Sequence, residues 1–295
     1  MPAITDGQSI SAKRSGDMGK MGGIERFFLG GHSLPAMPEV ARQLIASFDD
    51  ENVNLRTIVE LTEHDQSLSL RVLRLANSAR YARPQRVGDL TEAAGLLGME
   101  RLRNLVLATS IAEAFPSVAG FDRIRFWKHA IATGGYARWL GIILGVDADS
   151  GYLSGFMLRS GQLLMARVVP DVVAAVEAGC SAPGLRLALE KRLIGCTHAQ
   201  VTAELARRWQ LPQRLVDGFA HTPEPLDARP FSLLAAVLNM ASVMADAGAM
   251  AIAAGPALEQ ANRPLLDHLR MDVPWLQAKA PAFEELTAPI DELLG

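Results

Sequence analysis

The sequence predicts an all-α fold, and three features carry the prediction. Apolar residues recur at helical spacing along most of the chain. No segment of useful length alternates apolar and polar residues as a half-buried strand does. Cap residues, glycines and prolines punctuate short connections between the periodic segments.

The elements follow in order. The first 23 residues, "MPAITDGQSISAKRSGDMGKMGG", are rich in Gly, Ser and Lys and poor in apolar residues, so a mobile tail is expected. They contain no apolar run of the secretory type. "IERFFLGGHSLPAMP" reads as a short helical turn, a glycine break and an extended X-Pro entry. Pro38 stands at a favourable first-turn position for "PEVARQLIASF", whose Val40, Leu44 and Phe48 share a face. Asn54 can cap "LRTIVELTEH", and Asp65 can cap "QSLSLRVLRLANSA", where Leu68, Val72 and Leu75 follow i, i+4, i+7. "DLTEAAGLLG" opens on an Asp cap and closes on Gly98, and "MERLRNLVLATSIAEAF" follows at once.

"FDRIRFWKHAIATGGYARWLGIILG" and "GYLSGFMLRSGQLLMARVV" read as core helices. In the second, Leu153, Phe156, Met157, Leu163, Leu164 and Val168 form a wide apolar arc. Gly155, Arg159, Gln162 and Ala166 form a narrow opposite stripe, so Arg159 is expected on the exposed side, solvated or salt-bridged. "DVVAAVEAG", "PGLRLALEKRLIG" and "THAQVTAELARRWQ" come next, and Leu211-Pro212 breaks the chain before "QRLVDGFAH".

The long apolar stretch "FSLLAAVLNMASVMADAGAMAIAAG" contains Asn239 and Asp246. A mid-bilayer Asp costs roughly 2.5–3.5 kcal/mol, and Ala offsets little of it. A buried helix is therefore expected rather than a membrane span, with Leu234, Val237, Leu238, Ala241 and Met244 inward. Leu265, Leu269, Trp275 and Leu276 would close over its outer side.

A chain of 295 residues can bury a sizeable core, and 49% hydrophobic with 21% charged residues is a globular balance. Only 6% are aromatic, so that core is aliphatic. A net charge of −3 supplies no global field for nucleic acid. Cys180 and Cys196 form no CxxC or Cys/His cluster and read as two reduced thiols of a cytoplasmic protein. Phosphate-loop, dinucleotide, HExxH and GxSxG motifs are absent. A basic run, Arg71, Arg74, Arg80, Arg83, Arg86, Arg101 and Arg103, is met by only Asp89, Glu92 and Glu100. It reads as a solvated face or as an anion-recognition surface. Tyr81 is its single interleaved aromatic, so stacking of single-stranded nucleic acid is poorly supported.

Several segments taken together resemble the HDOD family of bacterial proteins. They are "LPAMPEVARQLIASFDDENVNLRTIVELTEHDQSLSLRVLRLANSARY", "LTEAAGLLGMERLRNLVLA", "FWKHAIATGGYARWL" and "THAQVTAELARRWQLPQRLVDGFAHTPEP". The resemblance implies a multi-helix, HD-domain-like architecture with an N-terminal helical subdomain. Its expected parts are a tail and helical turn at 1–32, the N-terminal subdomain at 33–120, the HD-like subdomain at 121–225 and a C-terminal helical extension at 226–295.

It also implies kinship with HD-type metal phosphohydrolases, in which a His-Asp pair holds metal. That pair falls on Leu158 and Arg159 here. Leucine has no lone pair, and arginine is a permanent cation. His129 matches the first His position, and His198 and His221 the regions of later ones. The later Asp falls near "LNMASVMA", where Asn239 and Ser242 stand. The vestigial set is therefore His129, Leu158, Arg159, His198, His221 and Ser242, and neither metal, cofactor nor catalysis is expected. Arg159 would fill the former metal position and meet an anionic ligand or a partner's carboxylate.

The candidate interaction or ligand residues are Arg71, Arg74, Asn77, Ser78, Arg101, Arg103, His129 and Arg159. Asn77 is expected to tie the N-terminal helices to the HD-like part through side chain–backbone bonds. The function these point to is a non-catalytic signal-transduction module in the cytoplasm. It would act by contact with a protein partner, gated by a small anionic ligand, with homo-oligomerisation left open. The rival is a divergent metal-dependent phosphohydrolase using His129, His198 and His221. Nucleic acid and membrane are not expected partners.

Overall fold

The computed structural model describes residues 23–29, 34–46, 54–78, 86–115, 118 and 121–288, and every regular element among them is helical. The tail at 1–22 and Phe48, Arg80, Tyr81 and Arg83 lie outside the described residues. No described helix is long and apolar enough to cross a membrane.

The first layer comprises α1 (Glu39–Ala46), α2 (Leu55–Glu63), α3 (Gln66–Ala76), α4 (Leu90–Leu97) and α5 (Met99–Ala114). Local chemistry sets their ends. Asn54 accepts the Thr57 N–H, Asp65 those of Ser67 and Leu68, and Asp89 that of Glu92. Gly98, at φ 82°, both closes α4 and starts α5. α1 to α4 bury one face each, through residues such as Leu44, Ile58, Leu68 and Leu97. α5 is buried almost all round because it is also the seam to the rest of the molecule. Across that seam Arg103 pairs with Asp149, and Arg138 with Glu100.

The second layer centres on α6 (Arg123–Leu144) and α7 (Ala148–Met157), joined through left-handed Gly145. Small residues let them approach closely: a Cβ added at Gly155 would lie 2.6 Å from the Thr133 carbonyl oxygen. Trp127 of α6 stacks on Phe156 of α7, with centroids 5.3 Å apart.

Beyond α7 the structure departs from the expected continuous helix. The chain breaks at Leu158–Arg159, and α8 (Ser160–Val168) starts anew. The break is held from outside the segment. Thr202, on α11 (His198–Arg208), donates to the Leu158 carbonyl and accepts the Gly161 N–H, both at 2.8 Å. The change of direction removes Arg159 from the exposed stripe, and the residue is only 7% exposed.

α9 (Pro170–Gly179), α10 (Leu185–Ile194) and α12 (Gln213–His221) complete the surround, and α13 (Leu233–Ala249) packs on α6, α7 and α12. Leu234, Val237, Leu238, Ala241 and Met244 of α13 are all buried. α14 (Ala254–His268), α15 (Val273–Lys279) and α16 (Phe283–Thr287) follow, with Leu265 and Leu276 buried and Leu269 half-buried. Trp275 differs from expectation: it is 43% exposed and lies over Trp139 of α6, at 5.9 Å between centroids. A broad, flat ring finds its partner at the rim of the core rather than inside it.

The short turn at Ile24–Phe27 is anchored to the second layer. Phe27 and Phe28 are buried, Arg26 donates to the Ile194 carbonyl at 2.5 Å, and Trp209 Nε1 donates to the Pro35 carbonyl at 2.8 Å.

Candidate functional site

Six side chains from six places in the chain converge in the second layer. α6 supplies His129, the α7–α8 break supplies Arg159, and α8 supplies Gln162. Glu177 comes from α9, Arg186 from α10 and Asp246 from α13. All six line a cavity of about 720 Å³.

Two linked sets of bonds order them. His129 Nε2 meets Asp246 Oδ1 at 2.8 Å, and Asp246 Oδ2 accepts the Gly184 N–H at 3.0 Å. Arg159 Nε donates to Gln162 at 2.9 Å, Gln162 donates to Glu177 at 2.6 Å, and Arg186 pairs with Glu177 at 2.7 Å. Arg159 stands 3.5 Å from the same carboxylate.

The electrostatics are those of a buried, charge-compensated cluster. Burial and the neighbouring Arg159 guanidinium push the His129 imidazole down to about 4, against the pull of Asp246. His129 is therefore neutral at pH 7 and its Nε2–H donates to the carboxylate. Burial works against ionisation of Asp246, but His129, Arg159 and the Gly184 N–H outweigh it and hold its carboxyl below the usual range. Burial and Arg186 pull Arg159 down to about 10, so it stays a cation.

A divalent ion needs several converging lone pairs. Here His129 and Asp246 already satisfy each other, Leu158 is 0% exposed in the core, and a guanidinium stands beside the pair. Among the described residues no three His, Cys, Asp or Glu side chains converge as a metal site requires. The residues present do not fit a resident metal.

Of the sequence-derived candidates, the structure brings only His129 and Arg159 into this cavity. His198, His221 and Ser242 line a neighbouring one. The remaining candidates lie on the first layer and its seam. Asn77 does bond backbone, but it donates to the Val87 and Leu73 carbonyls and accepts the Val87 N–H, each at 2.9 Å. It closes the loop between α3 and α4 and does not reach the second layer, because a cap side chain finds nearby backbone first. Ser78 is half-buried beside it. The basic run is not one face either: Arg71 pairs with Glu113 at 3.2 Å, Arg74 and Arg101 are exposed, and Arg103 is buried on Asp149.

Sequence reasoning missed Asp246, Glu177 and Arg186. Asn239 and Ser242 stand where the resemblance puts the later aspartate, and Asp246 follows one turn further along the same helix. The signal was available, since Asp246 is the single acidic residue within α13.

The model of the HDOD domain matches residues 34–225, well over half of the sequence. The chain belongs to the HDOD domain family.

A solved Shewanella amazonensis structure, described as a candidate phosphohydrolase, is 30% identical with a TM-score of 0.69, covering 89% of this chain and 95% of its own. An HDOD domain protein of unknown function from Geobacter sulfurreducens is 22% identical with a TM-score of 0.71, covering 92% and 97%, and likewise has this fold. An uncharacterized protein of Treponema pallidum is 27% identical over 219 residues, which is 70% of this chain and 42% of that one. The HDOD chain thus spans under half the length of that curated relative.

The buried imidazole of this HDOD protein gives an expected pH dependence. Between about pH 6.5 and 4.5 an unfolded chain protonates this histidine and the folded chain does not. The His129 contribution is complete above pH 6.5 and is lost as pH falls toward 4, by about 3 kcal/mol in all. Urea unfolding at pH 7, 5.5 and 4.5 reads it. His129→Gln, which keeps an N–H toward Asp246 but cannot titrate, should flatten the dependence above pH 4.5. An unchanged slope in the variant would assign the loss elsewhere.

Proposed function

We propose that this chain is a non-catalytic regulatory module of bacterial signal transduction, working in the cytoplasm through contact with a protein partner. A small anionic ligand in the His129–Arg159 cavity gates that contact. The working unit is an N-terminal helical subdomain, 33–120, seated on an HD-like subdomain, 121–225, with 226–295 as an extension of the core. The observation that carries the reading is Arg159, a buried cation beside a His-Asp pair that is already satisfied. A guanidinium there suits an anion held by hydrogen bonds rather than a metal-bound hydroxide. The cavity volume is that of a small-molecule site.

One observation favours the rival phosphohydrolase. His129 and Asp246 come from different helices and meet at 2.8 Å, as a remnant or a working pair of metal ligands would. Metal analysis with a turnover assay separates the two. Protein purified without chelator is expected to hold well under stoichiometric Mn, Fe, Zn or Mg, and to leave bis(p-nitrophenyl) phosphate unhydrolysed with each metal added. A stoichiometric metal together with turnover that His129→Gln abolishes would overturn the regulatory reading.

A further inference from the structure

A second cavity of about 720 Å³ lies on the far side of Arg186 and Asp246, which line both cavities. Its walls carry opposite signs. α10 supplies Arg186, Lys191 and Arg192, and the turn after α12 supplies Glu224 and Asp227. His198, at the start of α11, also lines it.

Glu190 organises the buried end. It accepts both the His198 backbone N–H and the ring Nδ1–H, each at 2.7 Å, and it stands 3.8 Å from Arg186. Burial opposes its ionisation, but His198 and Arg186 keep its carboxyl below the usual range. An ionised carboxylate only accepts, so Nδ1 carries the hydrogen of that bond.

His198 is 1% exposed, and among the described residues its Nε2 has no hydrogen-bond partner. Nor has Nη1 of Arg186, which is 7% exposed. Most buried polar atoms of native proteins are paired. Two such orphans, a ring nitrogen and a guanidinium nitrogen, belong here to residues that line one cavity.

We propose that this second cavity binds a small zwitterion. Its phosphate or carboxylate would lie against Arg186, Lys191 and Arg192. Its ammonium group would lie against the carboxylates of Glu224 and Asp227, in the cavity that the His198 ring also lines. A plain anion would satisfy only the basic wall, and a plain cation only the acidic one. The volume lies within the roughly 300–1,000 Å³ of small-molecule sites. The site shares Arg186 and Asp246 with the His129 cavity but is tested through residues of its own, so its failure would leave the regulatory reading untouched.

The test titrates the full chain with phosphoethanolamine, γ-aminobutyrate, inorganic phosphate and ethylamine, reading histidine ring nitrogens by NMR. His198→Gln assigns the resonance. Either zwitterion is expected to shift His198 Nε2 saturably, with a Kd roughly tenfold below that of inorganic phosphate or ethylamine. Phosphoethanolamine alone would point to a phosphate ligand, γ-aminobutyrate alone to a carboxylate. The exposed pair Lys191→Ala with Arg192→Ala should weaken zwitterion and phosphate alike. The exposed pair Glu224→Gln with Asp227→Asn should weaken the zwitterion to the level of phosphate. No saturable shift at His198 with either zwitterion up to tens of millimolar overturns the proposal. So does a zwitterion that binds no better than phosphate and ignores the acidic pair.

Discussion

A chain ending at Pro225 is expected to be insoluble or molten rather than a smaller folded protein. The cut removes α13, which is surrounded by α6, α7, α12 and α14. Leu234, Val237, Leu238, Met240, Val243 and Met244 would leave the core together with several close-packed alanines. Half a dozen buried aliphatic side chains are worth on the order of 10 kcal/mol, comparable with the whole stability of a domain. The cut would also strip His129 of Asp246, leaving the imidazole buried without its partner. Near-ultraviolet circular dichroism and a thermal melt check it. A cooperative transition near the full-length temperature would make 226–295 an appendage, such as a dimerisation arm.

Gly161→Ala is the second large effect, expected to cost roughly 3 kcal/mol or more. Its new Cβ would fall 2.3 Å from the His198 carbonyl oxygen and 2.8 Å from the Thr202 nitrogen. Both are backbone atoms, so α8 and α11 would have to separate. That separation would pull Thr202 from Leu158 and Gly161, the two bonds that hold the break at Arg159. The damage should reach the site, so the His129 ring resonances should move as well. Gly95→Ala is the matched control. It lies within α4 with nothing within 4 Å of the added Cβ, so a gain of about 0.5–1 kcal/mol is expected there. Equal urea midpoints for the two variants would mean that α8 and α11 are not in the close contact described.

Much of the fold was legible in the sequence because its signals are local. Asn54, Asp65 and Asp89 cap the helices they precede, since a short polar side chain satisfies an N–H two or three residues on, whatever surrounds it. The burial of α13 followed from an apolar circumference, which leaves a helix no wet face to present. The chain read as one helix through residues 151–169 failed for the opposite reason. Every residue there tolerates a helix, and the break depends on a threonine more than forty positions away, on α11. A helical projection then put Arg159 on the wet side, whereas the broken geometry buries it.

The site follows the same division. By itself the sequence determined what its residues can do: Leu158 cannot ligate, Arg159 cannot lose its charge, and a histidine on α6 can donate or accept. Only the tertiary structure decided which of them meet. Asp246 lies 117 positions from His129, and Glu177, Arg186 and Asp246 are drawn from three different helices. Helix periodicity reports the face of one helix and carries no information about which face of another it will oppose. Partners so remote are chosen by the packing of α6 against α13 and of α8 against α11, and with that packing come the neutral His129, the ionised Asp246 and the caged Arg159.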